Sequence, residues 1–158
     1  MQSQETYRLD QLDLQILAKL SEDGKTAYTD LAKQLFVSSG TIHVRMKKME
    51  ELGVVKGSSL VLDYQRLGFE VTAFLGIFLD KSSDFDRVAE QLALVPEVVS
   101  AHYTTGGYAL LCQLVCKDTT HLRVVLQEKI QKINGIQRTE TFLSLEERIS
   151  RPVNILES

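Results

Sequence analysis

The stretch LAKQLFVSSGTIHVRMKKMEELG, Leu31 to Gly53, decides how this 158-residue chain is read. It holds two short amphipathic helices separated by a tight polar turn. In the second helix Ile42, Met46 and Met49 recur at spacings of four and three and share one side, while Gly40, His43, Val44, Lys47 and Lys48 share the other. One face is made to pack and the other is left free for something long and anionic. Ser38 is a good N-cap for this helix, its hydroxyl placed to accept the Thr41 amide, and Ser39 and Gly40 leave the helix start uncluttered. That open, positive N-terminus suits a phosphate or a groove.

Working outward, the first helix of the pair runs from about Tyr28 to Leu35, with Leu31, Ala32 and Leu35 inward and only Ala27 at its cap. Before it, Leu9 to Glu22 is a helix capped by Asp10, with Asp13 in a capping-box position and Leu12, Ile16, Leu17 and Leu20 on one face. After it, Val54 to Leu62 reads as two short strands around a Gly-Ser turn. Three helices followed by a hairpin make a winged helix-turn-helix over residues 1–62.

The pattern changes from helical to strand-like across 63–68, the expected linker. From Phe69 the elements read strand (69–80), helix (83–95), strand (98–105), strand (108–116), helix (118–133) and strand (136–145). Gly106-Gly107 makes a tight turn between the middle strands, and Asn134-Gly135 stops the last helix. This split strand-helix-strand repeat over 69–150 places both helices on one face of a four-stranded antiparallel sheet, leaving 151–158 as a tail. The fold class is therefore α+β, a winged helix-turn-helix followed by a ferredoxin-like βαββαβ domain. Val71, Ala73, Leu75, Ile77 and Leu79 alternate with Phe74, Gly76 and Phe78, so the sheet is apolar on both faces. The face without helices needs a cover, and a second copy of the chain is the simplest one.

Composition agrees with a globular protein: 44% hydrophobic and 25% charged residues. Apolar runs stop well short of the roughly 18 residues that cross a bilayer, and the first residues lack an apolar signal core, which places the chain in the cytoplasm with no membrane partner. The net charge of −3 does not by itself suggest DNA. Between Ser38 and Ser59, however, Arg45, Lys47, Lys48 and Lys56 face only Glu50 and Glu51. A mildly basic patch gives modest binding per subunit, which joining subunits would multiply. Cys112 and Cys116 lie four apart in an apolar strand and read as buried structural thiols. His102 and His121 lack partners at metal-ligand spacing, and no catalytic constellation or phosphate loop stands out.

His43 is either a DNA contact or a solvated side chain, and Val44 either meets a thymine methyl or is a surface valine. Arg45 lies toward the flank, where it holds phosphate or a neighbouring helix rather than a base. Lys56, with Ser58 and Ser59, either touches the backbone or minor groove or belongs to an idle hairpin.

The chain resembles the leucine-responsive and asparagine-responsive bacterial regulators, the Lrp/AsnC or feast/famine family. The resemblance rests on Leu12-Asp13, Leu31-Ala32, Val37-Ser38, the run Gly40-Thr41-Ile42-His43-Val44-Arg45, and Tyr103-Thr104-Thr105-Gly106-Gly107-Tyr108 between two strands. Thr41 to Arg45, with Thr26-Ala27-Tyr28 before it, looks closest to the asparagine-responsive members. The expected partner is double-stranded DNA, with Tyr28, Ser38, Ser39, Gly40, Thr41, His43, Val44, Arg45, Lys47, Lys48 and Lys56 as the candidate contacts. The resemblance implies a homodimer that associates further as a tetramer of dimers, and a small amino-acid effector between subunits, with no other cofactor. Carried over, the effector site is Ala101, His102, Tyr103, Thr104, Thr105, Gly106 and Gly107, with Val125, Leu126 and Gln127 nearby. Many relatives carry an acidic residue immediately after the tyrosine of the turn; here the position is Ala109. The lining does not choose among leucine, methionine and asparagine. The reading that follows is a sequence-specific transcriptional regulator answering to an amino acid. Its rivals are an effector-independent architectural protein that wraps DNA and an enzyme acting on an amino acid.

Overall fold

The structure, a computed structural model, describes residues 8–156. The first seven residues, part of the segment read as lacking a signal core, and the last two of the tail lie outside the described residues. The chain divides into two compact units, one made of residues up to Val61 together with the segment from Ile149, the other of Leu62–Arg148.

In the first unit, α1 (Gln11–Glu22), α2 (Tyr28–Gln34) and α3 (Ser39–Glu51) pack around Ile16, Leu31, Ala32, Ile42, Met46 and Met49, all buried. The caps are those the sequence offers. Asp10 and Asp13 form a reciprocal capping box at α1, Ser38 accepts the Thr41 amide at α3, and α2 has no side-chain cap. The α2–α3 turn passes through Phe36, whose φ of 56° makes it the one non-glycine residue with positive φ among those described. That left-handed conformation costs an L-residue roughly 1–2 kcal/mol, and the ring recovers none of it by packing, since it is 95% exposed.

The expected wing strands do not form: residues 54–62 carry no strand ladder. Val55 packs on the helical core and both Val54 and Val55 amides bond to the Met49 carbonyl, but Leu60 and Val61 face solvent. A lone two-stranded hairpin is marginal in water, and among the described residues no third strand in this unit supports it.

In the second unit β1 (Val71–Leu79), α4 (Phe85–Ala93), β2 (Val98–Tyr103), β3 (Leu110–Cys116), α5 (Thr119–Val124) and β4 (Ile136–Leu143) build an antiparallel sheet in the order β2-β3-β1-β4. Ala73, Leu75 and Ile77 of β1 pack with Val88 and Leu92 of α4 and with Leu122, Val125 and Ile130. On the other face Phe74 and Phe142 remain exposed to solvent. The last helix is not α-helical to Ile133 as the sequence reading has it. It passes at Val125 into a π turn, Val125–Ile130, with the Gln131 amide reaching back to the Leu126 carbonyl at 2.8 Å. The wider turn brings Val125 and Ile130, five residues apart, onto the sheet together, where both are buried. A regular helix would hold them roughly 140° apart.

Candidate nucleic-acid interface and ligand site

α3 presents the divided surface that its spacing predicts. Ile42, Met46 and Met49 are buried, while Gly40, His43, Val44, Lys47 and Lys48 are exposed. Val44 is 70% exposed, an open apolar side chain in the middle of a polar face. Tyr28, at the first position of α2, stands edge-on to His43 with ring centroids 4.7 Å apart, so the start of α2 and the outer face of α3 form one continuous patch. Ser38 also bonds the Thr41 hydroxyl at 2.9 Å, which holds the start of α3 without adding an acidic residue to its first turn. Lys47 lies 4.0 Å from Glu51, an exposed and weak pair. Lys56 is exposed on an extended segment rather than on a wing strand.

Arg45 is differently placed. Its Nη1 donates to Asp10 at 2.6 Å and to Asp13 at 2.8 Å, and the Asp13 side chain is fully buried. These bonds hold the Asp10 carboxyl below the usual carboxylate range and push the Arg45 guanidinium up. Of its two sequence readings, phosphate holder or helix neighbour, the structure shows the second: Arg45 ties α3 to the capping box of α1.

In the sheet unit the residues between β2 and β3 form a loop rather than a two-residue turn. The Thr104 amide bonds the Ala109 carbonyl at 3.2 Å and the Thr104 hydroxyl donates to the Tyr108 carbonyl. Beside it lies a cleft of about 400 Å³ lined by Tyr103, Thr104, Thr105, Gly106 and Gly107, as expected, together with Phe78, Leu79, Ser82, Tyr108, Ala109 and Gln137. Ala101 and His102 lie further down β2, outside the lining. Val125 is buried in the core, and Leu126 is partly buried against it. Gln127 is exposed and accepts a hydrogen bond from Arg123. The inward placement of Val125 and Leu126 follows the apolar pattern of the helix.

The sequence reading missed Tyr108. Its ring lies across Gly76, where an added Cβ would stand 2.5 Å from the ring, and it meets Phe78 edge-on at 5.1 Å. Its hydroxyl donates to Glu140 at 2.7 Å. The glycine in an otherwise apolar strand was the available signal. A second cleft, about 310 Å³, lies among Arg87, Gln91, Lys129, Lys132, Ile133 and Asn134. Its three cations are already matched by Asp84, Glu97 and Glu128. Cys112 and Cys116 are buried free thiols, and burial pushes the Cys112 thiol up to about 11.

Among the described residues no helix is long and apolar enough to cross a membrane. Residues 9–56 match the model of a winged helix-turn-helix DNA-binding domain, and residues 72–153 match the Lrp/AsnC ligand-binding domain. Over 147 residues the chain is 40% identical to regulatory protein AsnC of Haemophilus influenzae, covering 93% of this chain and 98% of that protein. Identity to AsnC of Escherichia coli K12 is 40% over 149 residues, 94% of this chain and 98% of the other. The solved structure of E. coli AsnC superposes with a TM-score of 0.88 at 39% identity, over 94% of this chain and 99% of that one. These relatives are named regulators, not enzymes. The chain belongs to the Lrp/AsnC family, as an AsnC-type DNA-binding transcriptional regulator with a ligand-binding domain.

Proposed function

We propose that this regulator binds double-stranded DNA sequence-specifically and that leucine, methionine or asparagine sets its assembly or its grip on DNA. It acts in the cytoplasm as a homodimer, formed on the sheet face that carries Phe74 and Phe142, and the dimers join as a tetramer of dimers. The observation that carries the effector half is the cleft beside the Thr104–Ala109 loop, whose size suits a small metabolite and whose walls mix aromatic rings, hydroxyls and exposed backbone. The DNA half is supported by the continuous outer patch of Tyr28, His43, Val44, Lys47 and Lys48. An effector that binds one assembly better than another shifts the population by no more than its differential affinity.

The test is a thermal-shift screen of the full chain against the twenty amino acids. A ligand that binds only the folded assembly raises the melting temperature with concentration. The proposal expects a rise with one or a few of leucine, methionine and asparagine. No shift with any amino acid would remove the effector and leave the architectural, DNA-wrapping reading as the better one.

A further inference from the structure

The side chains that line the loop cleft carry no charge. An α-amino acid at neutral pH brings an ammonium and a carboxylate, and neither leaves water favourably without a partner. Two charged groups touch the cleft walls from the helix-free face of the sheet. The Arg138 guanidinium lies over the ring of Phe78, 3.6 Å from its centroid, and Glu140 accepts the Tyr108 hydroxyl on Oε2. Phe78 and Tyr108 both line the cleft. The two groups are also tied to each other, Arg138 Nη1 donating to Glu140 Oε1 at 2.6 Å.

The backbone explains why they meet there. Arg138 is paired with Phe78 and Glu140 with Gly76 in the β1–β4 ladder, two residues apart and therefore on one face. Gly76 has no Cβ, so the Tyr108 ring can lie across β1 and carry its hydroxyl to Glu140. Both charged groups keep spare capacity. Arg138 makes one hydrogen bond among the described residues, leaving donors on Nε and Nη2, and Glu140 accepts two bonds where a carboxylate can take about four. Neither is buried, with side chains 56% and 40% exposed.

We infer that the Arg138–Glu140 pair is the charged end of this cleft and makes it selective for a zwitterion, Arg138 taking the carboxylate and Glu140 the ammonium of an α-amino acid. A fork of two N–H donors matches a carboxylate in geometry as well as charge, and the Phe78 ring and the Glu140 bond hold that fork in place before the ligand arrives. The inference rests on the reading of the cleft as the effector site.

The test uses the full chain and isothermal titration with L-leucine, L-methionine and L-asparagine, each beside its N-acetyl derivative, which has no ammonium, and its α-amide, which has no carboxylate. For the parent amino acid that binds, both derivatives are expected to bind at least tenfold more weakly. Glu140→Gln should weaken the parent at least tenfold and bind it no better than the N-acetyl form. Arg138→Gln should weaken it comparably and lose the distinction between parent and amide. The amide of Glu140→Gln keeps a carbonyl for the Tyr108 hydroxyl, so its melting temperature should stay near that of the wild type. If a parent binds and the variants bind it like the wild type, the inference fails while the cleft reading stands. Equal weakening of parent and both derivatives by either variant also overturns it, because it shows a merely structural role. If none of the three amino acids binds the wild type, the effector reading fails first and the inference with it.

Discussion

Arg45→Met should loosen the helical unit far more than it affects DNA contact. The substitution keeps an apolar stem against α1 and removes the charge that faces Asp10 and Asp13. Breaking a fully buried ion pair from one side costs about 3–5 kcal/mol. Here the figure is lower, because Arg45 keeps 27% of its side chain exposed and Asp13 still accepts the Asp10 amide at 3.1 Å. We expect about 2–3 kcal/mol, nearly all of it from the loss of the cation that faces the buried Asp13 carboxylate. For a unit of this size that is a fall of roughly 10–20 °C in its melting transition, readable by scanning calorimetry of the full chain. Adding Asp13→Asn to Arg45→Met should restore much of the loss, since the buried charge goes with it. The pH dependence has a definite sign. The folded-state Asp10 carboxyl is held below 3.8, so its contribution is present above that value and lost as the pH falls below it. Arg45→Met should flatten the part of the acid limb that Asp10 contributes. A variant that melts within about 2 °C of wild type while losing DNA affinity would refute the argument and return Arg45 to the DNA face.

Three further substitutions or probes test particular contacts. Phe36→Gly relieves a left-handed aromatic residue that packs on nothing; after the extra entropy of glycine in the unfolded chain, a net gain of about 0.5–1 kcal/mol is expected by chemical denaturation, and a loss would show that the ring has a folded-state contact. Gly76→Ala should drive the Tyr108 ring from its seat at a cost of about 1–3 kcal/mol, and the double change with Tyr108→Ala should be clearly non-additive; simple additivity would mean the two do not compete for that space. Cys112 and Cys116 should resist Ellman's reagent at pH 8 in the native protein and both react on unfolding, because burial raises both thiols; rapid native reaction of either would contradict the packing.

Much of this molecule is legible in the chain because its helices and strands obey their periods. Ile42, Met46 and Met49 mark the inner side of α3, and Ala73, Leu75 and Ile77 mark one face of β1; burial follows spacing at each of them. What escaped the sequence depends on partners distant in the chain. The sequence leaves Arg45 between a phosphate and a neighbouring helix, and only the fold shows the carboxylates of Asp10 and Asp13, more than thirty residues earlier, converging on it. Tyr108 looks like the last residue of a turn until Gly76 and Glu140 are brought beneath it. The π turn at Val125–Ile130 was hinted at by two apolar residues five apart, a spacing that a period of 3.6 does not supply. The wing failed for a different reason: a Gly-Ser turn between valines and leucines is a proper hairpin signal, but local signals do not provide the neighbouring strand that a hairpin needs.

The central claim is a DNA-binding regulator whose outer α3 face reads the duplex, and the most direct measurement is the salt dependence of binding to duplex DNA that the protein selects from a random-sequence pool against a shuffled sequence of the same length. The account predicts tighter binding to the selected DNA at every salt concentration. It also predicts that Lys47→Ala with Lys48→Ala weakens both sequences and makes the salt slope shallower, while Val44→Ala narrows the gap between them. Equal affinity for the two sequences, with a salt slope untouched by loss of the lysines, would contradict it.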